Sequence, residues 1–290
     1  MRYEGPIYRP PSEADSLLVQ ATIGCPHNRC TFCMVYKKGP PFRVRPVNEI
    51  KEDLDFAKEH FGRVRTLFFP AGNTIAMPTD ELAQICAYAK NLFPDLARIT
   101  VYGSSKYIHR KGLRDLIILK ESGLSRIHVG LESGDDEVLR RVKKGTDAKE
   151  QIESSLWVRE SGIELSLYVM LGIGGKERST SHALETTRVL NAVNPDFVRF
   201  RTLLPKINTL LLHQMRKGQF ALLTPHEVLR EAGEIIENLE VTSEIRSDHY
   251  TNYVDIHGTL PRDREKMLTA IHRALKMDES SFRPMYVGTQ

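Results

Sequence analysis

The sequence predicts an α/β protein with parallel strands, on three observations. Six strand-sized apolar segments alternate with segments whose apolar residues recur at helical spacing. Each connection between strands contains a helix, which suits parallel pairing with right-handed crossovers. A helix end followed by a strand recurs about forty residues later. Such a run either opens into a doubly wound sheet or curls into a barrel, and periodicity does not choose between them.

The composition is that of an ordinary globular protein, with 41% hydrophobic and 27% charged residues among 290. The net charge of +4 is spread along the chain, so a nucleic-acid partner is allowed but not indicated. The apolar runs are strand-sized and the N-terminus is polar, so we expect neither a membrane span nor a secretory signal. Four cysteines, three of them clustered, favour a reducing compartment and predict a cytoplasmic protein.

The first elements can be placed by the residues that begin and end them. Residues 1–16 are rich in proline and predict an irregular arm. The first strand is predicted at 17–23, and the second at 64–69. Between them Asn48 is predicted to cap a helix. The buried face of that helix should carry Ile50, Leu54, Ala57 and Phe61.

Pro78 and Thr79 predict the start of the second helix, with acidic residues in its first turn. Its apolar stripe consists of Leu82, Ile85, Cys86, Ala89 and Phe93. Cys86 is therefore predicted to be a core residue and not a metal ligand. Strand three is predicted at 98–102. The apolar side of the third helix should carry Leu113, Leu116 and Ile117.

The recurring segment is Glu-Ser-Gly followed by an aliphatic residue, at 121–124 and again at 160–163. Each copy predicts a helix C-cap, with glycine just beyond the helix, leading into a strand. These are strands four (126–129) and five (165–168). A helix at 179–193 and a sixth strand at 196–203 follow.

Residues 206–290 have a looser pattern and predict an extension that closes the fold and contacts the substrate. An amphipathic helix should begin at Thr224-Pro225. Segment 246–263, which includes His249 and His257, is dense in polar and aromatic residues. It could present proton donors to a substrate, or it could be an ordinary surface loop, because its histidines have no metal-motif spacing.

Cys25, Cys30 and Cys33 lie within nine residues after the first strand. A cubic iron–sulfur cluster normally takes four thiolates, so three cysteines would leave one iron open to a ligand that is not protein. The alternative is a zinc site completed by His27 or a distant histidine. Zinc loops usually come as two paired knuckles, and no second pair follows downstream.

This CX4CX2C loop, with Phe32 before its last cysteine, resembles the cluster loop of the radical S-adenosylmethionine (radical SAM) superfamily. The commoner loop has three residues between its first two cysteines, where this chain has four. The resemblance implies a partial (β/α)6 TIM-type barrel over residues 17–205. It also implies a [4Fe–4S] cluster that reductively cleaves S-adenosylmethionine to a 5′-deoxyadenosyl radical, which abstracts hydrogen from a substrate. The alternative function is a zinc-stabilised, non-catalytic protein that could bind nucleic acid.

The resemblance also implies a cofactor site at the strand ends. After strand two, Gly72, Asn73 and Thr74 stand where the superfamily receives the ammonium group of S-adenosylmethionine, although a plain Gly-Asn turn is the competing interpretation. After strand three, Ser104 could meet the ribose or the carboxylate. Glu132 lies in a Gly-Leu-Glu-Ser-Gly stretch that resembles coproporphyrinogen-oxidase-like, methylthiotransferase-like and elongator-type members. Alternation turns its carboxylate towards the interior.

At the end of strand five, Met170 and Leu171 are implied to contact the adenine through their main chain. A phosphate-binding loop is disfavoured there, because the lysine and hydroxyl spacing of a P-loop is missing. In strand six, Arg199 and Arg201 share a face. Two buried guanidinium groups need anions, so they predict a carboxylate of the cofactor or of the substrate. Alternatively they lie at the rim and pair with acidic residues, of which the candidates are Glu132 and Glu164.

The sequence identifies neither the catalytic residues nor the reaction subclass. A small-molecule or peptide substrate fits the chain, and tRNA is allowed. The resemblance implies an external electron donor such as flavodoxin or ferredoxin, and we expect no membrane partner.

Overall fold

The computed structural model describes residues 1–284 and residue 286, so the last residues of the predicted extension lie outside the described part. The chain divides into two compact units. The first unit comprises Met1–Asn28, Val35–Val129 and Glu153–Leu165. The second comprises Arg29–Met34, Gly130–Ile152 and the chain from Ser166 onward.

Strands and helices alternate along the chain, which confirms the predicted α/β class. After a short 3₁₀ helix (Pro11–Glu13), the elements are β1 (Leu17–Leu18), β2 (Thr22–Ile23), β3 (Arg43–Val44), α1 (Val47–His60), β4 (Thr66–Phe69), α2 (Thr79–Leu92), β5 (Arg98–Gly103), α3 (Ser105–Glu121), β6 (Leu124–Glu132) and α4 (Asp136–Arg141). They continue with α5 (Ala148–Glu160), β7 (Glu164–Leu171), α6 (Gly175–Val193), β8 (Phe197–Thr202), α7 (Leu210–Arg216), α8 (Pro225–Asn238), β9 (Glu244–Arg246), β10 (His257–Thr259) and α9 (Arg264–Ala274).

In the first unit, β1, β4, β5 and β6 pair in that order, and every pair is parallel. Leu17 lies opposite Leu67, and Phe69 lies opposite Val101. The carboxyl ends of these strands therefore share one edge, which is where parallel α/β folds bind ligands.

The prediction of one continuous first strand was wrong. The chain leaves β1 after Leu18, and β2 pairs with β3 in antiparallel fashion. Arg45 explains the break, because its guanidinium donates to the Gln20 carbonyl at 2.6 Å and its backbone N–H donates to the Ala21 carbonyl at 3.0 Å. These two carbonyls therefore bond to Arg45 and do not continue the pairing of β1.

The start and end of α1 also differ from the prediction. The helix begins at Val47 after Pro46, and Asn48 lies within it without capping it. Phe61, predicted on the buried face, is 48% exposed. The helix ends one residue earlier, and Phe61 has an extended backbone that points its ring away from the packed stripe.

A break inside α3 corrects another predicted face. Gly112 has a φ of 73° and a ψ of 171°, which are not helical values. The helix after it has a new phase, so Ile117 is exposed whereas Leu116 and Leu119 are buried.

The second helix is as predicted. It begins at Thr79, and Cys86 is completely buried on its inner side. Burial raises the pKa of the Cys86 thiol to about 12, so the thiol stays protonated. The two predicted C-caps are also confirmed, because Gly123 and Gly162 follow their helices with φ values of 110° and 77°.

The arm places a carboxylate inside the first unit. Glu13 is 0% exposed and accepts hydrogen bonds from the Ser16 hydroxyl at 2.6 Å and from Arg98 at 3.1 Å. Its other oxygen lies 3.2 Å from Nε2 of His128 in β6. Burial alone would raise the pKa of Glu13, but the hydrogen bonds to His128 and Ser16 and the charge of Arg98 lower it to about 2.

In the second unit, β7 and β8 pair in parallel from Ser166–Phe197 to Leu171–Thr202. Strand β9 extends this sheet in parallel, and β10 adds to it in antiparallel fashion. Helix α8 starts where predicted, because Thr224 and Glu227 form a capping box. Among the described residues, no helix combines the length and apolarity needed to cross a bilayer.

Candidate cofactor site

The first half of the cysteine loop is packed against Gly72 in the first unit. The Gly72 N–H donates to the Gly24 carbonyl at 3.2 Å. A Cβ atom on Gly72 would lie 2.7 Å from Cβ of Cys25 and 2.7 Å from the Tyr36 ring. Only glycine therefore fits at this position beside Cys25.

Asn73 and Ser104, predicted separately, are brought together by the fold. The Asn73 side-chain N–H donates to the Ser104 hydroxyl at 2.8 Å. Asn73 is 1% exposed, and its side-chain oxygen has no hydrogen-bond partner among the described residues. A buried acceptor without a donor is costly, so this oxygen is suited to an N–H group of a ligand.

Thr74, unlike its neighbours, bonds to the backbone of its own turn. It is fully buried, and its hydroxyl lies 3.0 Å and 3.2 Å from the carbonyls of Phe69 and Pro70. These contacts fix the turn after β4. They do not favour the predicted contact of Thr74 with a cofactor.

The second half of the cysteine loop is anchored in the second unit. The Thr31 N–H donates to the Val142 carbonyl at 2.9 Å, and the Thr31 carbonyl accepts from the Leu211 N–H at 3.0 Å. The neighbouring Phe32 and the β7 residue Met170 pack against one apolar cluster. This cluster consists of Val138, Val142, Ile173, Leu203 and Leu211. Two predicted cofactor-binding residues thus share one apolar surface.

A cavity of about 410 Å³ in the second unit borders this surface. Its apolar lining includes Val138, Ile173 and Phe220, and Arg140 and Lys143 add positive charge. The volume is sufficient for a small organic group beside Thr31 of the loop.

The three clustered cysteines are partly exposed, in contrast to Cys86. Cys25 belongs to the first unit, and Cys30 and Cys33 belong to the second. In the part of the chain described, no three Cys, His, Asp or Glu side chains surround a common metal position. The assignment of these cysteines to a cluster therefore rests on their spacing.

Glu132 forms an ion pair that the sequence did not predict. Its carboxylate lies 2.9 Å from Nζ of Lys144, and both side chains are about nine-tenths buried. A Cβ on Gly130 would lie 2.3 Å from the Glu132 oxygen, so glycine makes room for the pair. Glu132 has a φ of 62°, a left-handed value that is uncommon outside glycine and often marks functional sites. The only sequence signal for Lys144 is its place in the same motif.

The end of β7 is held by a residue that the sequence analysis missed. The Gly172 N–H donates at 2.6 Å to Glu231 of α8, whose other oxygen accepts from the Ser179 hydroxyl. Glu231 is 2% exposed. It lies on the apolar side of an amphipathic helix, and a buried acid there was the available signal. Leu171 and Gly172 are thereby fixed in position.

His182 extends this buried network. Its Nδ1 lies 2.8 Å from the Ser133 hydroxyl, and its Nε2 lies 3.6 Å from Glu231. Burial lowers the pKa of His182 despite the nearby carboxylates. Asp135 caps α4 and accepts two hydrogen bonds from Arg178. The Ser-Gly-Asp part of the motif therefore joins the same network.

The two arginines of β8 have different partners. Arg199 is 5% exposed, donates to the Ser166 hydroxyl at 3.1 Å and lies 3.8 Å from Asp248. Arg201 contacts Nε2 of His249 at 3.0 Å. The rim partners considered from the sequence are engaged elsewhere, because Glu132 pairs with Lys144, and Glu164 pairs with Arg126 at 2.9 Å.

These features define the class of protein: a parallel α/β protein with clustered cysteines beyond its first strands and buried polar groups at the strand ends. The sequence pattern of the Radical SAM superfamily matches residues 19–186, which is more than half of the chain. The chain belongs to the radical SAM superfamily.

The chain is also similar to individual curated proteins. The chain is 24% identical over 203 residues to the heme chaperone HemW of Bacillus subtilis (strain 168). That alignment covers 66% of this chain and 52% of the relative. The chain therefore spans about half the length of this curated relative.

Solved structures show the same fold. Coproporphyrinogen III oxidase (HemN) from Escherichia coli, a radical SAM enzyme, aligns with a TM-score of 0.56 at 19% identity, covering 77% of this chain and 50% of that one. Methylornithine synthase (PylB) aligns with a TM-score of 0.53 at 16% identity, covering 91% and 83%. The predicted fold, a partial TIM-type barrel, is confirmed by these neighbours.

Family membership confirms several predictions at the level of the superfamily. Its members are enzymes that bind a [4Fe–4S] cluster and S-adenosylmethionine, which are the two predicted cofactors. The zinc-stabilised alternative has no support from the family match. The division into arm, core and extension stays a prediction.

Proposed function

We propose that this chain is a radical SAM enzyme in which Cys25, Cys30 and Cys33 hold the [4Fe–4S] cluster and S-adenosylmethionine occupies the fourth iron. The CX4CX2C spacing within the matched family region carries this proposal. When bound, the reduced cluster would supply the electron that cleaves S-adenosylmethionine, and the resulting 5′-deoxyadenosyl radical would abstract hydrogen from an organic substrate.

The chain's own residues supply the fit for the cofactor. The unpartnered oxygen of Asn73 would accept from the ammonium group of S-adenosylmethionine, with Ser104 fixing the amide. Gly72 allows Cys25 and the strand end to approach closely. These contacts of the first unit support binding of the ammonium end of the cofactor.

In the second unit, the residues proposed to contact the cofactor are apolar, apart from one ion pair. Phe32 and Met170 would flank the adenine, since they share an apolar cluster. Glu132, oriented by Lys144, would accept from the ribose hydroxyls. The Glu231 carboxylate holds the Gly172 backbone and with it the strand end that meets the base. Apolar walls exclude water from a reactive radical.

The reductant and the compartment follow from the cluster. We infer that a low-potential carrier such as flavodoxin or ferredoxin supplies the electron, and that the protein works in the reducing cytoplasm. The substrate is a small molecule or a peptide, with tRNA as a further candidate.

The test is anaerobic reconstitution with iron and sulfide, followed by reduction in the presence of S-adenosylmethionine. Wild-type protein should form 5′-deoxyadenosine, quantified by mass spectrometry. Alanine variants of Cys25, Cys30 and Cys33 should lose the cluster and the product. The matched control Cys86→Ala should keep both, because its thiol is completely buried on the inner side of α2. An intact cluster without 5′-deoxyadenosine would contradict the proposal.

A further inference from the structure

A second polar site lies at the carboxyl end of β8, beside the proposed adenine position. Arg201 of β8 lies opposite Met170 of β7 in a parallel register. Side chains at the same register position of neighbouring strands point to the same face, about 4.8 Å apart. The Arg201 guanidinium therefore neighbours a residue that the proposed function assigns to the cofactor.

Two cations meet polar aromatic groups at this point. Arg201 donates to Nε2 of His249 at 3.0 Å. Lys206 donates to the Tyr250 hydroxyl at 3.4 Å. The His249 and Tyr250 rings join the two contacts, with centroids 4.5 Å apart. These four side chains therefore form one continuous group.

In the described part of the chain, no carboxylate forms an ion pair with either of these cations. Among the residues that the structure describes, neither Arg201 nor Lys206 forms an ion pair, and the nearby Asp248 pairs with Arg199. His249 Nε2 accepts from Arg201 and is therefore unprotonated, while Nδ1 lies 2.8 Å from the Thr251 hydroxyl. Burial and the positive charges of Arg201 and Lys206 lower the pKa of His249 to about 3.

The segment that carries His249 is fixed to the strand end. The Asn252 side-chain oxygen accepts from the Thr202 N–H at 2.7 Å. Its N–H₂ group donates to the carbonyls of Phe200 at 2.8 Å and Ser247 at 3.0 Å. Arg283 adds a hydrogen bond to the Thr251 carbonyl at 3.1 Å. These bonds position His249 and Tyr250 before any ligand binds.

We propose that Arg201, Lys206 and the Tyr250 hydroxyl bind an anionic group of the organic substrate, a carboxylate or a phosphate. The inference deepens the proposed function and rests on it, because it names the charge of the substrate in that reaction. Half-buried cations without counter-ions are satisfied by an anion. A guanidinium fork beside an ammonium and a hydroxyl matches the oxygens of such a group.

The first test uses inorganic phosphate as the probe and the full chain without its cluster, so it does not depend on radical chemistry. Histidine side-chain NMR follows His249, whose resonance is assigned with His249→Asn. Phosphate should shift this resonance saturably and raise the pKa of His249, because the bound anion offsets the two cations.

Matched variants locate the phosphate. Arg201→Gln and Lys206→Met should each weaken phosphate binding about tenfold, as expected when a charge-assisted hydrogen bond is lost. Arg216→Gln and Lys217→Met remove exposed cations of the same unit and should change the affinity for phosphate less than about twofold. Absence of a saturable shift, or equal weakening in all four variants, would overturn the site.

A second experiment distinguishes the substrate from the cofactor as the source of the anion. Binding of S-adenosylmethionine to reconstituted protein is measured by equilibrium dialysis in wild type and in Arg201→Gln. An unchanged Kd, together with phosphate binding, assigns the site to the substrate. A Kd about tenfold weaker, with phosphate displaced by S-adenosylmethionine, would assign it to the cofactor's carboxylate and overturn the proposal. Failure of the proposed function would appear separately, as a missing cluster or missing 5′-deoxyadenosine.

Discussion

The Glu13 cluster of the first unit and the Arg201 cluster of the second are both buried or half-buried groups of charged residues, but their charges balance differently. Glu13 is surrounded by Arg98, His128 and the Ser16 hydroxyl, and each of its oxygens has partners. Arg201 faces a neutral imidazole, with a second cation nearby. Both carboxylate oxygens of Glu13 have partners without a ligand, whereas Arg201 has no carboxylate partner among the described residues.

This difference separates a structural role from a binding role. A compensated buried charge contributes to the fold, and removing one partner leaves the others unpaired. An uncompensated charge costs free energy until a ligand arrives, so its removal should harm binding without lowering stability. The following variants test that distinction, from the largest expected change in stability to the smallest.

Glu13→Gln should lower the free energy of unfolding by about 3 kcal/mol, because it leaves Arg98 and His128 without their carboxylate. Urea denaturation of the full chain measures this. The control Glu4→Gln breaks an exposed pair with Arg43 and should cost less than about 1 kcal/mol. Equal losses in both variants would show that the Glu13 cluster is not a special contributor to the fold.

The same cluster should make stability depend on acid. The pKa of Glu13 is lowered from 4.5 to about 2, so its contribution is fully present above pH 4.5 and is lost as the pH falls through about 2. Over that pH range the free energy of unfolding of wild type should fall by up to about 3 kcal/mol more than that of Glu13→Gln. Unfolding free energies of the two proteins measured against pH should converge in acid, and parallel curves would contradict the assignment.

Glu231 gives an intermediate case, since it belongs to the second unit but is fully hydrogen-bonded. Glu231→Ala should cost about 2 kcal/mol and weaken S-adenosylmethionine binding about tenfold, because the Gly172 N–H loses its acceptor. Glu231→Gln keeps an acceptor oxygen and should recover most of the affinity. If the two variants lose affinity equally, Glu231 does not position the strand end.

Arg201→Gln should change the free energy of unfolding least, by less than about 0.5 kcal/mol in either direction, since Arg201 forms no ion pair with the described residues. Thermal unfolding without ligands measures it. A loss as large as that of Glu13→Gln would mean that Arg201 is structural, and the contrast between the clusters would fail.

Much of the fold and part of the site followed from the sequence. Helical spacing predicted the buried stripe of α2, and Thr224-Pro225 predicted the start of α8, because both depend on local patterns. The breaks at Gln20 and Gly112 were missed, since each depends on a backbone conformation or a distant partner such as Arg45.

Glu13 and Glu231 were missed for the same reason. Glu13 contacts His128 across 115 residues, and Glu231 contacts Gly172 across 59. No local pattern reports such contacts. Asn73 and Ser104, in contrast, were predicted from the superfamily resemblance and from their places directly after strands, and the fold brings them together.

The central claim is that one iron of the cluster has no protein ligand and binds S-adenosylmethionine. Electron-nuclear double resonance on the reduced, anaerobically reconstituted protein tests it directly. S-adenosylmethionine labelled isotopically in its carboxylate oxygen is added to wild type. We expect hyperfine coupling between the label and the cluster, because three cysteines leave one iron for the cofactor. Absence of that coupling, with a protein nitrogen or sulfur as the fourth ligand instead, would contradict the account.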